Sequence, residues 1–173
     1  MDTIDSETRS RNMSHIRSRN TKPELLVRSA LFRRGFRFRV NCKKLPGHPD
    51  IVLPKYHAVI FINGCFWHGH ENCVNFRLPG TRTDFWREKI KGNVIRDKKE
   101  RELLHKNGWR ICIVWECRIR TKKELNTLDA VIDEMSSWIK SSRTFLEIRS
   151  ESTYRIKRDY TAAVAETEPE YKK

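Results

Sequence analysis

The chain has 173 residues, 38% of them hydrophobic and 10% aromatic, which suits one domain that buries a core without disulfide staples. It contains no run of 18 or more apolar residues, which excludes a membrane-spanning helix, and the polar start "MDTIDSETRS" lacks the apolar centre of a secretion signal, so a cytoplasmic protein is expected. The formal net charge is +14, and the last 23 residues carry five basic and five acidic side chains, so the whole excess lies in residues 1–150 and points to a polyanionic partner, nucleic acid above all.

Residues 1–20 read as a basic arm whose apolar residues Met13 and Ile16 lie three apart, where Met13 either docks on the core or touches the partner. "NTKPELLVRSALFRRG" predicts a helix: Thr21 can cap it, Glu24 follows three residues on, Pro23 sits in the tolerant first turn and Gly35 marks the stop. Leu25, Leu26, Ala30 and Leu31 are its expected apolar face. "FRFRV" alternates as a strand, "LPGHPD" turns, "DIVL" is a short strand and "AVIFI" a continuous apolar strand of the kind buried on both faces. A long helix is expected over 83–107, with Trp86, Ile90 and Val94 at fourfold spacing and Gly108 ending it. "WRICIVWE" is a second buried strand, and Leu125, Leu128, Ile132, Met135 and Ile139 mark a core-facing helix. The residues from 150 on lack periodicity and read as a flexible tail. The order predicts an α/β domain over 21–149, a small mixed sheet flanked by helices.

The stretch "GCFWHGHENC" follows directly from the central strand. Cys65, His70 and Cys73 are spaced C-x4-H-x2-C, and thiolate and imidazole are the ligands Zn²⁺ prefers in a closed tetrahedral site. Five cysteines, an odd number, mixed with histidines suit metal ligation better than a disulfide framework. Cys117, just past the second buried strand, is the expected fourth ligand. Cys112 lies inside that strand as a small hydrophobe, and Cys42 is remote in the pattern. If the loop is extended, His68 and His70 face the same way and a fifth ligand is conceivable. A four-ligand site is already complete, which leaves the His68 imidazole for proton transfer.

Two acids stand near these motifs. From spacing, Glu24 reads first as the partner of Thr21 in a capping box, and a role at a metal site is compatible with that but secondary. Asp50, after Gly-His-Pro, is either a turn residue or a carboxylate that holds Mg²⁺ for phosphodiester hydrolysis.

Taken together, "TRSRNMSHIRSRNTKPE", "LPGHPDIVL", "AVIFINGCFWHGHENC", "TRTDFWREKIKGNVIRD" and "GWRICIVWEC" resemble the very-short-patch repair endonucleases, bacterial enzymes of T:G mismatch repair. The resemblance covers roughly residues 8–140. It implies a restriction-endonuclease-like three-layer fold with a structural zinc. It also implies a Mg²⁺-dependent nick in one DNA strand, 5′ to the thymine left when 5-methylcytosine deaminates. By the same resemblance Asp50 and the Ile62 carbonyl hold Mg²⁺, His68 activates the attacking water, and Glu24 orders waters around the metal. Cys65, His70, Cys73 and Cys117 ligate zinc; Phe66, Trp67 and Trp86 wedge into the base stack; Met13 closes on the DNA from the other groove. The expected partner is double-stranded DNA with a T:G mismatch, met by a monomer at the nucleoid, with mismatch-repair proteins as further partners.

Two features depart from the family pattern. Asn63 stands where a histidine is common before the glycine of "GCFWH", and an amide can bond water but cannot take its proton at neutral pH. The loop "HGHENC" is also poorer in histidine than some members. From the residues alone, Phe66 and Trp67 could equally be a small core under the loop. Two rivals remain at this stage: a nicking endonuclease of the same fold with another specificity, and a zinc-stabilised DNA-binding module without catalysis.

Overall fold

The computed structural model describes residues 5, 7–8, 11, 19–119 and 127–150. The Met13 assignment, most of the basic arm, Leu125 and the tail beyond Ser150 lie outside the described residues.

Helix α1 spans Lys22–Arg33 and starts where the sequence places it, with Thr21 extended at its N-cap and Pro23 in its first turn. Its inward face differs from the expected one. Val27, Ala30 and Leu31 are buried, and Glu24 and Arg28 with them, whereas Leu25 and Leu26 are exposed. The reason is positional: residues 24, 27, 28 and 31 form one helical stripe, and the sheet lies against that stripe. The predicted strand "FRFRV" shrinks to β1, Arg39–Val40, because Phe36 and Phe38 turn into the core before the edge pairing begins.

β2 (Ile51–Leu53) and β3 (Ala58–Asn63) are antiparallel and joined by a turn of 3-10 helix over Pro54–Tyr56, after which His57 takes a left-handed conformation at φ 49°. Helix α2 (Thr83–Lys106) crosses over to β4 (Arg110–Trp115), which pairs parallel with β3 from Ala58↔Arg110 to Asn63↔Trp115. A single turn, α3 (Glu116–Ile119), and helix α4 (Thr127–Lys140) lead to β5 (Phe145–Ile148), parallel to β4. The sheet order is β1-β2-β3-β4-β5, antiparallel in its first pairs and parallel in its last. β5 is absent from the sequence reading: four residues long, its exposed Phe145 is as apolar as its buried Leu146, which blurs the alternation.

Side chains alternate across the sheet and feed two cores. Ile51, Leu53, Ile60, Cys112, Val114, Leu146 and Ile148 meet α1 and α4, including Val131, Met135 and Trp138. Val52, Val59, Ile111, Ile113 and Trp115 point the other way, toward Leu104 of α2 and the cysteine-rich loop. The result is the predicted mixed α/β sheet between helical layers. Among the described residues, no helix is long and apolar enough to cross a membrane.

Arg110 closes the far end of the molecule. Its guanidinium donates to the carbonyls of Ile139 at 3.0 Å and Trp138 at 2.5 Å, where the last carbonyls of α4 want a cation. The active end of the sheet is the opposite one, where β3 and β4 run out side by side at Asn63 and Trp115.

Candidate active site and metal centre

Cys65, His70, Cys73 and Cys117 are all buried, and their ligand atoms lie within 4.8 Å of one another. Cys117 Sγ and His70 Nδ1 are 3.5 Å apart, close to the edge of about 3.6 Å expected between S and N ligands of tetrahedral zinc. The hydrogen bond to Cys65 pulls the Cys117 thiol below its ordinary range, with His70 adding, while the same pairing and burial push Cys65 up. Three thiols this close cannot all ionise unaided; a divalent cation at their centre removes the conflict. The donor set therefore fits zinc. The His70 ring stacks on Trp115 at 3.9 Å, and Trp115 Nε1 donates to Glu147 of β5 at 2.6 Å, so the missed strand braces a ligand.

The segment between the ligands is not extended. His68 N donates to the Gly64 carbonyl (3.2 Å) and His70 N to that of Cys65 (2.9 Å), which makes 64–70 a tight helical turn. Gly69 ends it at φ 58°, and a Cβ there would meet Val94 Cγ2 at 2.9 Å and Ile90 Cγ2 at 3.0 Å. Glycine is required for both reasons. The turn sends His70 into the metal cluster and His68 away from it, so the conceivable fifth ligand is excluded.

Helix α2 clamps this turn with one stripe, residues 90, 93, 94 and 97. Ile90 and Val94 pack on Gly69, Asn93 Nδ2 donates to the Trp67 carbonyl at 2.9 Å, and Asp97 Oδ2 meets His68 Nδ1 at 2.5 Å. The sequence reading marked Ile90 and Val94 but missed Asp97. An acid at the next position of the stripe that faces the turn was the available signal. A carboxylate beside Nδ1 fixes the tautomer that leaves the Nε2 lone pair free.

A cleft of about 1210 Å³ opens at the strand ends and is lined by Glu24, Asp50, Ile62, Asn63, Trp67 and His68 among others. The fold thus gathers these sequence-selected residues in one place. Asp50 Oδ2 accepts from the Ile62 backbone N–H at 2.7 Å, across β2 and β3. Its carboxyl is pushed up to about 6, chiefly by burial, with Glu24 adding and the Ile62 N–H, Arg28 and His68 opposing. A buried acid facing another acid gains most from a bound cation, so the pair fits Mg²⁺.

Glu24 does cap the helix, accepting from Thr21 N and Thr21 Oγ1 on one oxygen and from Asn20 N and Arg28 Nη2 on the other. Cap and cleft wall are the same side chain, so the two roles are compatible. With its acceptor sites taken, Glu24 reaches water only by exchanging a partner, and the rotatable Thr21 hydroxyl is the one that can turn away. Asn63 is buried, with its neighbours Gly64 and Glu116 on the same cleft wall.

Phe66, Trp67 and Trp86 are half-buried and meet edge to face, at centroid distances of 5.2 Å (Phe66–Trp67), 5.4 Å (Phe66–Trp86) and 6.0 Å (Trp67–Trp86). Phe85, unmarked by the sequence reading, is exposed, packs on Trp86 and lies under the Arg82 guanidinium. Trp67 of this group lines the cleft, and all four rings are more exposed than the buried Trp138 of the main core.

The family model described as DNA mismatch endonuclease Vsr matches residues 1–74. The DNA mismatch endonuclease Vsr of Escherichia coli (strain K12) is 46% identical over 138 residues, 80% of this chain and 87% of that protein. The type II nicking enzyme V.XorIIP of Xanthomonas oryzae pv. oryzae is 44% identical over 129 residues (75% and 92%). The type II nicking enzyme V.NmeAIP of Neisseria meningitidis is 49% identical over 121 residues (70% and 86%).

Proposed function

Because the chain belongs to the Vsr family of DNA mismatch endonucleases, we propose that it nicks one strand of duplex DNA 5′ to the thymine of a T:G mismatch by Mg²⁺-dependent hydrolysis. The observation that carries this reading is that Trp67 and His68, consecutive on the turn between Cys65 and His70, line the same cleft as Asp50 and Glu24.

Asp50 and the Ile62 carbonyl would hold the Mg²⁺, whose charge offsets that of the phosphate and makes water more acidic. His68 Nε2 takes the proton of the attacking water, and Asp97 stabilises the imidazolium that forms. Glu24 orders the neighbouring waters. Asn63 offers a hydrogen bond but no proton acceptor at neutral pH, so the base is His68 alone. Cys65, His70, Cys73 and Cys117 hold a structural zinc that fixes the turn.

Opening a mismatched pair costs less than opening a matched one, which gives the selectivity a source. Phe66, Trp67 and Trp86 replace the lost stacking, each contributing about 1–3 kcal/mol. The arm, residues 1–20, closes from the other groove through Met13, residues 21–149 form the nuclease domain, and 150–173 form a tail. The chain acts as a monomer at the nucleoid, alongside mismatch-repair proteins.

End-labelled duplexes carrying a central T:G, a G:G or a matched pair test this, with and without Mg²⁺. Nicking of the T:G duplex alone, 5′ to the thymine and only with Mg²⁺, is expected. Equal nicking of the matched duplex would point instead to a nicking endonuclease of other specificity, a reading favoured by the names of two relatives. Tight T:G binding without any nick would point to a non-catalytic module.

A further inference from the structure

Helix α1 buries an arginine against the acid pair, which the family reading leaves without a role. Arg28 is 8% exposed. Its Nη2 donates to Glu24 Oε2 (2.8 Å), to the Asp50 main-chain carbonyl (3.2 Å) and to Asn41 Oδ1 (3.3 Å), and its Nη1 to Asn20 Oδ1 (2.7 Å). Asn20 and Asn41 both adopt left-handed backbone conformations, at φ 54° and 48°. Asn41 N also donates to the Asp50 carbonyl at 3.4 Å. One guanidinium thus ties the start of α1, the turn after β1 and the residue before β2 at a single point.

An ordinary i,i+4 pair on an exposed helix face would contribute only a few tenths of a kcal/mol and join nothing else. Arg28 instead reaches from α1 to Asp50 while its Nε finds no partner among the described residues. An unpaired buried N–H costs about 1–3 kcal/mol, which offsets part of what the four donations contribute to the fold. The planar fork offers donors at fixed angles, and a lysine could satisfy only part of the set.

We propose that Arg28 is a positioning residue for the divalent-cation site: its fork locks the Glu24 carboxylate to the Asp50 main chain and sets how the two acids meet the cation. The proposal rests on the reading of Asp50 and Glu24 as that site. Without the fork, Glu24 keeps its cap to Thr21 but loses its link to Asp50, and the buried Glu24 faces the half-buried Asp50 with no cation between them.

The test uses the full chain, with Arg28→Met removing charge and fork and Arg28→Lys keeping the charge alone. Mn²⁺ binding is read from the paramagnetic resonance signal of free Mn²⁺, which needs no turnover. Arg28→Met should raise the Mn²⁺ dissociation constant and the Mg²⁺ half-saturation of nicking by about tenfold or more, as loss of groups behind metal ligands commonly does. Affinity for T:G duplex in EDTA should stay within about threefold, because the cleft aromatics and basic surface are untouched. Arg28→Lys should fall between wild type and Arg28→Met on both metal readouts, and high Mg²⁺ should restore its nicking. Wild-type Mn²⁺ affinity in either folded variant overturns the proposal. If Arg28→Met does not melt cooperatively, Arg28→Lys decides it. A wild-type chain that binds no Mn²⁺ overturns the cation-site reading and this proposal together.

Discussion

At Asp50 function and stability pull in opposite directions. Its folded pKa of about 6 lies above the ordinary 3.8. The ionised carboxylate therefore costs nothing below the ordinary value, costs progressively more through that window, and reaches its full cost above about 6. The full cost at neutral pH is on the order of 3 kcal/mol. Asp50→Asn should consequently be more stable than wild type by about 1–3 kcal/mol at pH 7.5 in EDTA, equal to it near pH 4, and unable to nick. Denaturant melts at the two pH values check this, and a less stable Asp50→Asn at pH 7.5 refutes it. The same proton competes with the cation, so Mg²⁺ half-saturation should rise about tenfold per pH unit below about 6 and level off above.

His68 is the other residue on which the proposed chemistry turns. Its Nδ1 contact with Asp97 sets which nitrogen is free. Asp97→Asn should lower kcat by about 10²–10⁴-fold while leaving T:G affinity and Mn²⁺ affinity unchanged. Single-turnover nicking beside a binding titration separates the two, and a fall in affinity that matches the fall in rate would make Asp97 a structural residue only.

Among the elements, the turn 64–70 is the unit that joins the proposed metal, wedge and base. Four residues of α2 (Ile90, Asn93, Val94 and Asp97) and the cysteine-histidine cluster hold it. Cys117→Ser should lose zinc and melt lower together, since site and fold form in one step. Elemental analysis with calorimetry reads both, and a zinc-free wild type that melts at an unchanged temperature would remove the metal from the fold. Trp67 and Trp115 sit on either side of this unit. Trp115 is buried on His70 and bonded to Glu147, whereas Trp67 is half-buried at the cleft. Trp115→Ala should cost about 3–5 kcal/mol of stability, and Trp67→Ala much less, while Trp67→Ala alone should weaken T:G binding by the worth of a stacked base. Equal losses of melting temperature would return Trp67 to the core.

Over the whole molecule, the charge excess of +14 lies in the residues that form the arm and domain. Helix α2 alone carries eight Lys and Arg, and only Ile90 and Leu104 of it are buried, so most of that charge faces solvent. The logarithm of DNA affinity should fall steeply with the logarithm of salt concentration, with a slope on the order of −5 or beyond for six or more phosphate contacts. A slope near zero would mean that the basic surface serves something other than a polyanion.

The sequence by itself determined the elements that repeat a period and the ligands that share a loop. Short apolar runs at 51–53, 58–63 and 110–115, bounded by turn residues, read as strands buried on both faces, and Cys65, His70 and Cys73 mark a candidate metal cluster by type and spacing. Cys117 was legible too, since it lies just past the end of the second buried strand, as Cys65 lies just past the end of the first. Tertiary structure alone decided the partners. The parallel register of β3 and β4 ends both strands at one edge, which brings Cys117 to Cys65 and Asn63 beside Trp115. The sheet packs on residues 24, 27, 28 and 31 of α1, not on Leu25 and Leu26, and so buries Glu24 and Arg28 beside Asp50. Asp97 meets His68 because a glycine lets α2 lie flat on the turn. Periodicity states which residues share a face, but the element that covers that face is chosen by packing between segments far apart in the chain, and no local pattern encodes that choice.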